Sequence, residues 1–142
     1  MGIASKAVII HKGKYLLQHR DDKKEIFSPN YWGCFGGMID HKNESAIEGI
    51  KRELKEELSI NFKIVKKLHE GFHEPTGTKN IFFLAVPINN VNSIKLKEGQ
   101  NYGWFKIDEL KRLKTTWDTR YIFSYLEEKT DLLNENNIYN KL

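Results

Sequence analysis

The segment "SAIEGIKRELKEELS", residues 45–59, limits what this chain can fold into more than any other. Ser45 followed by Glu48 is a capping-box pattern, in which hydroxyl and carboxylate satisfy amide groups that the start of a helix leaves unpaired. Ile47, Ile50, Leu54 and Leu58 then recur at helical spacing and predict a helix with one apolar stripe. Such a stripe must be covered, and the flanking sequence supplies strands to cover it. "SKAVIIH" and "KYLLQHR" are apolar runs separated by "KGK", which predicts a hairpin with Gly13 in its turn. "CFGG" predicts a short strand that stops at glycine, and "NFKIVKKLHEGFHE" and "NIFFLAVPI" predict strands joined by the turn "PTGTKN". "SIKLKEGQNYGWFKI" predicts two short strands around a glycine-containing loop. Asp108 is placed as the cap of a short helix, "ELKRL". "TRYIFSYLEEKTDLL" predicts an amphipathic helix with Ile122, Tyr125 or Leu126, Leu132 and Leu133 turned inward, followed by a frayed polar tail over residues 134–142. "DDKKEIFSPNYWG" reads as a long loop, and long loops in compact domains often carry function. A helix after the third strand and another at the end imply an α+β or α/β sandwich, a mixed sheet covered by helices, in one domain spanning 1–142.

Composition narrows the class. With 39% hydrophobic and 30% charged residues the chain has the balance of a soluble globular protein. No apolar run approaches the roughly 20 residues that span a bilayer. Cys34 is the only cysteine, which excludes a disulfide framework and a cysteine-based zinc site. A cytoplasmic protein is therefore expected. The net charge of +4 is carried by lysines scattered among acids, as on a solubilising surface rather than a dedicated nucleic-acid face; a small phosphorylated ligand would be drawn by the same field, so charge alone does not separate these readings.

The glutamates of the helix carry the chemistry. At about 100° per residue, Glu53, Glu56 and Glu57 stand at i, i+3 and i+4 and share one flank, read as facing away from the leucine stripe. Like charges at those spacings repel by a few tenths of a kcal/mol. Either Lys51 and Lys55 offset them on an ordinary solvated face, or the carboxylates surround a cation. The preceding "FGG" shifts the balance, because glycine lets backbone carbonyls be approached closely. Carboxylates beside such a carbonyl make an all-oxygen environment of the kind Mg²⁺ takes. Arg52 can hold a neighbouring carboxylate through two parallel bonds and fix its orientation.

The glycine pair, Glu44, "RELKEEL" from Arg52 to Leu58, and Ile60 together resemble the Nudix box. Two features depart from it. Six residues lie between Gly37 and Glu44, one more than in the box, and Ser59 stands where a glycine normally ends the helix. The order of strands, long loop and helices is also similar to the Nudix fold, which implies an α/β/α sandwich with a mixed sheet between helices. The resemblance further implies hydrolysis of a phosphoanhydride in a nucleoside diphosphate linked to another moiety: a nucleoside triphosphate, an oxidised nucleotide or a nucleotide sugar. It implies Mg²⁺ or Mn²⁺ held by Glu53, Glu56, Glu57 and the Gly37 carbonyl, with Arg52 and Glu44 orienting the carboxylates. The general base is then Glu98, in "KEGQNYGW", or one of the helix glutamates. Arg20 is the candidate for a substrate phosphate, and Phe27 and Tyr31, ahead of Trp32 and Trp104, for stacking on a base. Asp118 is expected either to meet a purine edge or to cap the last helix. His69 and His73, alternating with Lys67, are read as strand surface. A small nucleotide is the expected partner of a monomer or homodimer. The alternative is a non-hydrolytic nucleotide sensor of the same fold, suggested by the two departures.

Overall fold

The computed structural model describes residues 2–40 and 42–129. Their strands are β1 (Gly2–His11), β2 (Lys14–His19), β3 (Trp32–Gly33), β4 (Phe35–Met38), β5 (Phe62–His73), β6 (Thr78–Pro87) and β7 (Asn101–Phe105). Their α-helices are α1 (Ala46–Leu58), α2 (Ile107–Leu110) and α3 (Trp117–Glu128). By contact density the chain divides into two compact units, Met1–Ile9 with Phe35–Lys97 and Ile10–Cys34 with Glu98–Leu142.

In the first unit β1 is the inner strand of a mixed sheet. It runs antiparallel to β4, with Ala4 opposite Met38 and Ala7 opposite Phe35, and parallel to β6, with Ala4 opposite Asn80. β5 pairs antiparallel with the far side of β6. A strand with neighbours on both sides has no solvated edge, and Ala4, Ala7, Val8 and Ile9 are all buried. Helix α1 packs on β4 and β5 through Ile50, Leu54 and Leu58, each fully buried. The buried Ser5 hydroxyl donates to the Ala46 carbonyl at 2.9 Å and ties β1 to the first turn of α1. Ile47, expected in the apolar stripe, is instead exposed.

The ends of α1 explain why it begins and stops where it does. The capping box forms: Ser45 Oγ accepts from the Glu48 N–H at 3.1 Å, and Glu48 Oε1 accepts from the Ser45 N–H at 2.9 Å. At the other end Ser59 adopts the left-handed conformation, φ 65° and ψ 10°, that glycine usually supplies. That costs on the order of 1 kcal/mol for an L-residue. The bond from Ser59 Oγ to the Lys95 carbonyl, 3.1 Å, recovers part of it. The last carbonyls of a helix need donors from elsewhere. Here the Lys95 N–H donates to Leu58 and the Lys97 N–H to Glu57, at 3.0 and 2.9 Å. This corrects the sequence expectation of two strands in "SIKLKEGQNYGWFKI": only β7 forms, because the backbone before it closes the end of α1.

In the second unit β2 pairs antiparallel with β3 and with β7, placing Gln18 opposite Gly33 and Tyr102, and His19 opposite Trp32 and Asn101. Lys12 and Gly13 both take positive φ, 51° and 76°, the backbone of a tight hairpin turn at the expected place. The loop over 20–31 is internally bonded, with the Arg20 N–H donating to Tyr31 at 2.8 Å and the Asn30 N–H to Asp21 at 3.0 Å. Helix α2 is not capped by Asp108. Lys106 precedes it, and Glu109 reaches back to accept from the Lys106 N–H at 2.9 Å. Helix α3 begins after Thr116, so Asp118 lies in its first turn, where negative charge suits the helix dipole, and is not its cap. Ile122, Phe123 and Leu126 are buried while Tyr125 is only half-buried. Leu132, Leu133 and the tail at 134–142 lie outside the described residues. No described helix is long and apolar enough to cross a membrane.

Candidate active site

The first unit gathers most of the residues singled out in its sequence. Glu44 ends the turn that follows β4, and Arg52 meets it bidentately, Nε to Oε2 at 3.0 Å and Nη2 to Oε1 at 2.7 Å. Arg52 Nη1 also donates to Glu53 Oε1 at 3.1 Å and lies 3.3 Å from Glu56 Oε2. One guanidinium thus holds three carboxylates. The extra residue after Gly37 is absorbed before reaching them. Asp40 organises the turn, its carbonyl accepting from the N–H groups of Asn43 and Glu44, both at 2.9 Å, and its carboxylate from Asn43 Nδ2 at 2.6 Å. Glu44 Oε1 in return accepts from the Asp40 N–H at 3.1 Å.

Electrostatics follow from this geometry. The Arg52 guanidinium, and after it the Asp40 N–H, hold the Glu44 carboxyl below its ordinary value of 4.5. Its bonds to Glu44 and Glu53 keep Arg52 charged at any ordinary pH. A carboxyl whose folded value is depressed stabilises the fold above its unfolded value and loses that contribution as pH falls through the folded one. Glu44→Gln is therefore expected to lower the melting temperature at pH 7, with the deficit shrinking as the pH falls below 4.5. Thermal melts of both proteins across that range, in a metal-free buffer, measure it.

Glu53, Glu56 and Glu57 are less alike than their spacing suggested. Glu56 is 59% exposed, Glu53 18% and Glu57 only 4%. The helix period gives the reason. Glu57 lies seven residues from Ile50, about 20° short of two full turns, so it shares the apolar direction and does not face away from it. Glu53 lies about 60° from Ile50 and Glu56 about 120°, so the three acids fan from core to solvent. Gly37, opposite Ser5 in the sheet, stands directly against Glu53: a Cβ at Gly37 would be 3.2 Å from the Glu53 carboxyl atoms. The missing side chain leaves backbone and carboxylate side by side. The donors are all oxygen, which suits a hard divalent cation. Among the described residues no three acidic, histidine or cysteine side chains converge as a finished cage. Arg52 now occupies Glu53 and Glu56, so an ion would share or replace it.

The remaining candidates belong to the second unit, apart from His69 and His73 in the first. Arg20 is turned on its own loop, Nε and Nη2 both donating to the Phe27 carbonyl at 3.1 and 2.8 Å. The Phe27 ring is 90% exposed. Tyr31 carries the Lys114 ammonium 4.4 Å from its ring centroid. Trp32 stacks on His19 at 4.5 Å, and Trp104 lies half-buried beside His11. Glu98 is exposed and its carbonyl accepts from Gln18 Nε2 at 3.0 Å. His69 and His73 lie half-buried on β5. Sequence reasoning passed over Gln18, although a glutamine inside the apolar run "YLLQH" was a legible signal.

The class of protein built on this mixed sheet and capped helix is given by comparison with known proteins. The NUDIX domain profile matches residues 3–126, and the chain belongs to the Nudix family, hydrolases acting on acid anhydrides. Among solved structures, the chain is similar to the MutT protein from Methanosarcina mazei Go1, with 25% identity, 91% and 94% of the two chains covered and a TM-score of 0.73. It is also similar to the E. coli ORF135 protein, with 21% identity, 91% of each chain covered and a TM-score of 0.71. An Ap4A hydrolase from C. elegans matches at 23% identity, with 93% and 98% covered and a TM-score of 0.70. No curated protein matches the sequence.

Proposed function

We propose that this protein hydrolyses a phosphoanhydride bond in a nucleoside diphosphate linked to another moiety, with Mg²⁺ or Mn²⁺ held by Glu53, Glu56, Glu57 and the Gly37 carbonyl. The observation that carries the reading is the ordering of acids around one helix: Arg52 binds Glu44, Glu53 and Glu56, Gly37 stands against the Glu53 carboxylate, and Glu57 is buried at the neighbouring position. A divalent ion, when bound, neutralises phosphate oxygens and lowers the pKa of a water molecule. Everything else is done by the chain. Glu44 fixes Arg52, and Arg52 restrains Glu53 and Glu56. Glu98 accepts the proton of the attacking water. The water oxygen bonds to phosphorus, the bridging P–O bond breaks, and its electron pair leaves with the second phosphate. The products are a nucleoside monophosphate and pyrophosphate or a phosphorylated remainder. Phe27 and Tyr31 stack on the base, a contact worth about 1–3 kcal/mol. Arg20 steadies the Phe27 loop and faces a substrate phosphate, and Asp118 reads the base edge. A cytoplasmic setting, which rests on composition, and a monomeric or homodimeric state belong to the same proposal.

The two features that suggested a non-hydrolytic sensor are both accommodated locally, the extra residue by the Asp40 turn and Ser59 by its left-handed backbone. The test is a screen of dGTP, 8-oxo-dGTP, UDP-glucose, ADP-ribose and Ap4A with Mg²⁺, the products resolved by chromatography. The expected result is release of nucleoside monophosphate that EDTA abolishes. Calorimetric binding of one of these nucleotides without cleavage overnight would overturn hydrolysis in favour of the sensor.

A further inference from the structure

Gln18 is a buried polar residue in a strand that otherwise buries Tyr15, Leu16 and Leu17, and it is only 6% exposed. Burying an amide is unfavourable unless its hydrogen bonds are made. Gln18 spends its Nε2–H on the main chain, donating to the Glu98 carbonyl at 3.0 Å. The next residue is shaped to that contact. Gly99 has φ +90°, and a Cβ there would lie 2.8 Å from Gln18 Cγ, 3.0 Å from Gln18 Nε2 and 2.9 Å from the His19 carbonyl. Gln100 follows with its N–H donating to the same His19 carbonyl at 2.8 Å and its Nε2 donating to the Arg20 carbonyl at 2.7 Å and Asn30 Oδ1 at 3.0 Å. Glu98 and Gln100 are therefore bonded to the end of β2, with Gly99 lying close against it between them, while the Glu98 side chain itself is exposed. A leucine at position 18 would serve the core as well; it would not hold the turn.

We infer that Gln18 and Gly99 are positioning residues for Glu98, fixing its main chain so that its carboxylate is presented in one place for proton transfer. The inference rests on Glu98 being the base, as proposed above. A displacement of an ångström or so at a reacting group costs rate and leaves binding largely alone. With whichever nucleotide of the screen turns over fastest, Gln18→Leu is expected to lower kcat about tenfold with KM within about twofold. Glu98→Gln is expected to lower kcat about a hundredfold, the usual contribution of a general base. The double variant should match Glu98→Gln alone, because a residue that acts through Glu98 has nothing left to position. Gly99→Ala disturbs the same turn from the other side of the contact, with the Gln18 amide still present, and should reproduce the kcat loss if Gln18→Leu does not fold. Multiplicative losses in the double variant, or unchanged kcat in Gln18→Leu and Gly99→Ala while Glu98→Gln is impaired, would overturn the positioning role and leave the base in place. Full kcat in Glu98→Gln would overturn the base assignment and the positioning role together.

Discussion

Glu57→Gln is expected to lower turnover about a hundredfold or more, which corresponds to about 2.7 kcal/mol of lost transition-state stabilisation. The same change should move folding stability by no more than about 1 kcal/mol, because the amide keeps the shape of the side chain and one acceptor oxygen. The contrast between the two readouts is what identifies a functional acid. Glu57 is the most buried of the α1 carboxylates, close in azimuth to Ile50, so a loss of turnover without a loss of stability would mark it as a residue of the site and not of the core. Initial rates with Mg²⁺ and thermal melts of both proteins measure the pair. A variant with normal turnover and a sharply lower melting temperature would make Glu57 a structural residue.

Gly36→Ala is expected to do the reverse and destabilise the fold. Gly36 has φ +137°, and a Cβ there would stand 2.2 Å from the Ser5 carbonyl oxygen and 2.9 Å from Lys6 Cα. Both are backbone atoms of the inner strand β1, paired on its other side with β6, so neither can retreat as a flexible side chain would. Strain at such a dihedral together with a backbone clash should cost about 3 kcal/mol or more, or roughly 10 °C in melting temperature. Gly37→Ala is the matched control. Its Cβ would meet the Glu53 carboxylate at 3.2 Å, a movable group, so it should perturb the site while the fold survives. Two adjacent glycines thus serve different ends, one for the sheet and one for the acids. Melting curves of the two variants side by side distinguish them.

Much of this was legible in local sequence because the signals were local. The capping box at Ser45 and Glu48, the turn at Gly13 and the paired strands around Gly77 each depend on residues a few positions apart. The Nudix pattern singled out Arg52 and Glu44 as residues that order the acids, but it did not say that the two meet each other bidentately. What escaped depends on distant partners. The backbone of Lys95 and Lys97 reads as strand but is used to finish α1. The contact of Arg20 with its own loop, two N–H groups on the Phe27 carbonyl, could not be read from local sequence. Asp118 reads as a reasonable cap, and only the backbone moves the start of α3 back to Thr116. The burial of Glu57 was different: seven residues from Ile50 is nearly two full turns, so the helix wheel already contained it, and grouping the acids by spacing alone concealed it.

The ordered acids of α1 are held to be there for a divalent cation, and uptake of that cation is measurable without any substrate. Mn²⁺ titrated into the protein, with the free ion followed by its EPR signal, should show saturable binding. Glu53→Gln and Glu57→Gln should each weaken it about tenfold or more, since hard cations depend on charged oxygen donors, while Glu98→Gln should leave it unchanged. Equal affinity in the wild type and both α1 variants, or no uptake at millimolar Mn²⁺, would contradict a metal-binding role for these carboxylates.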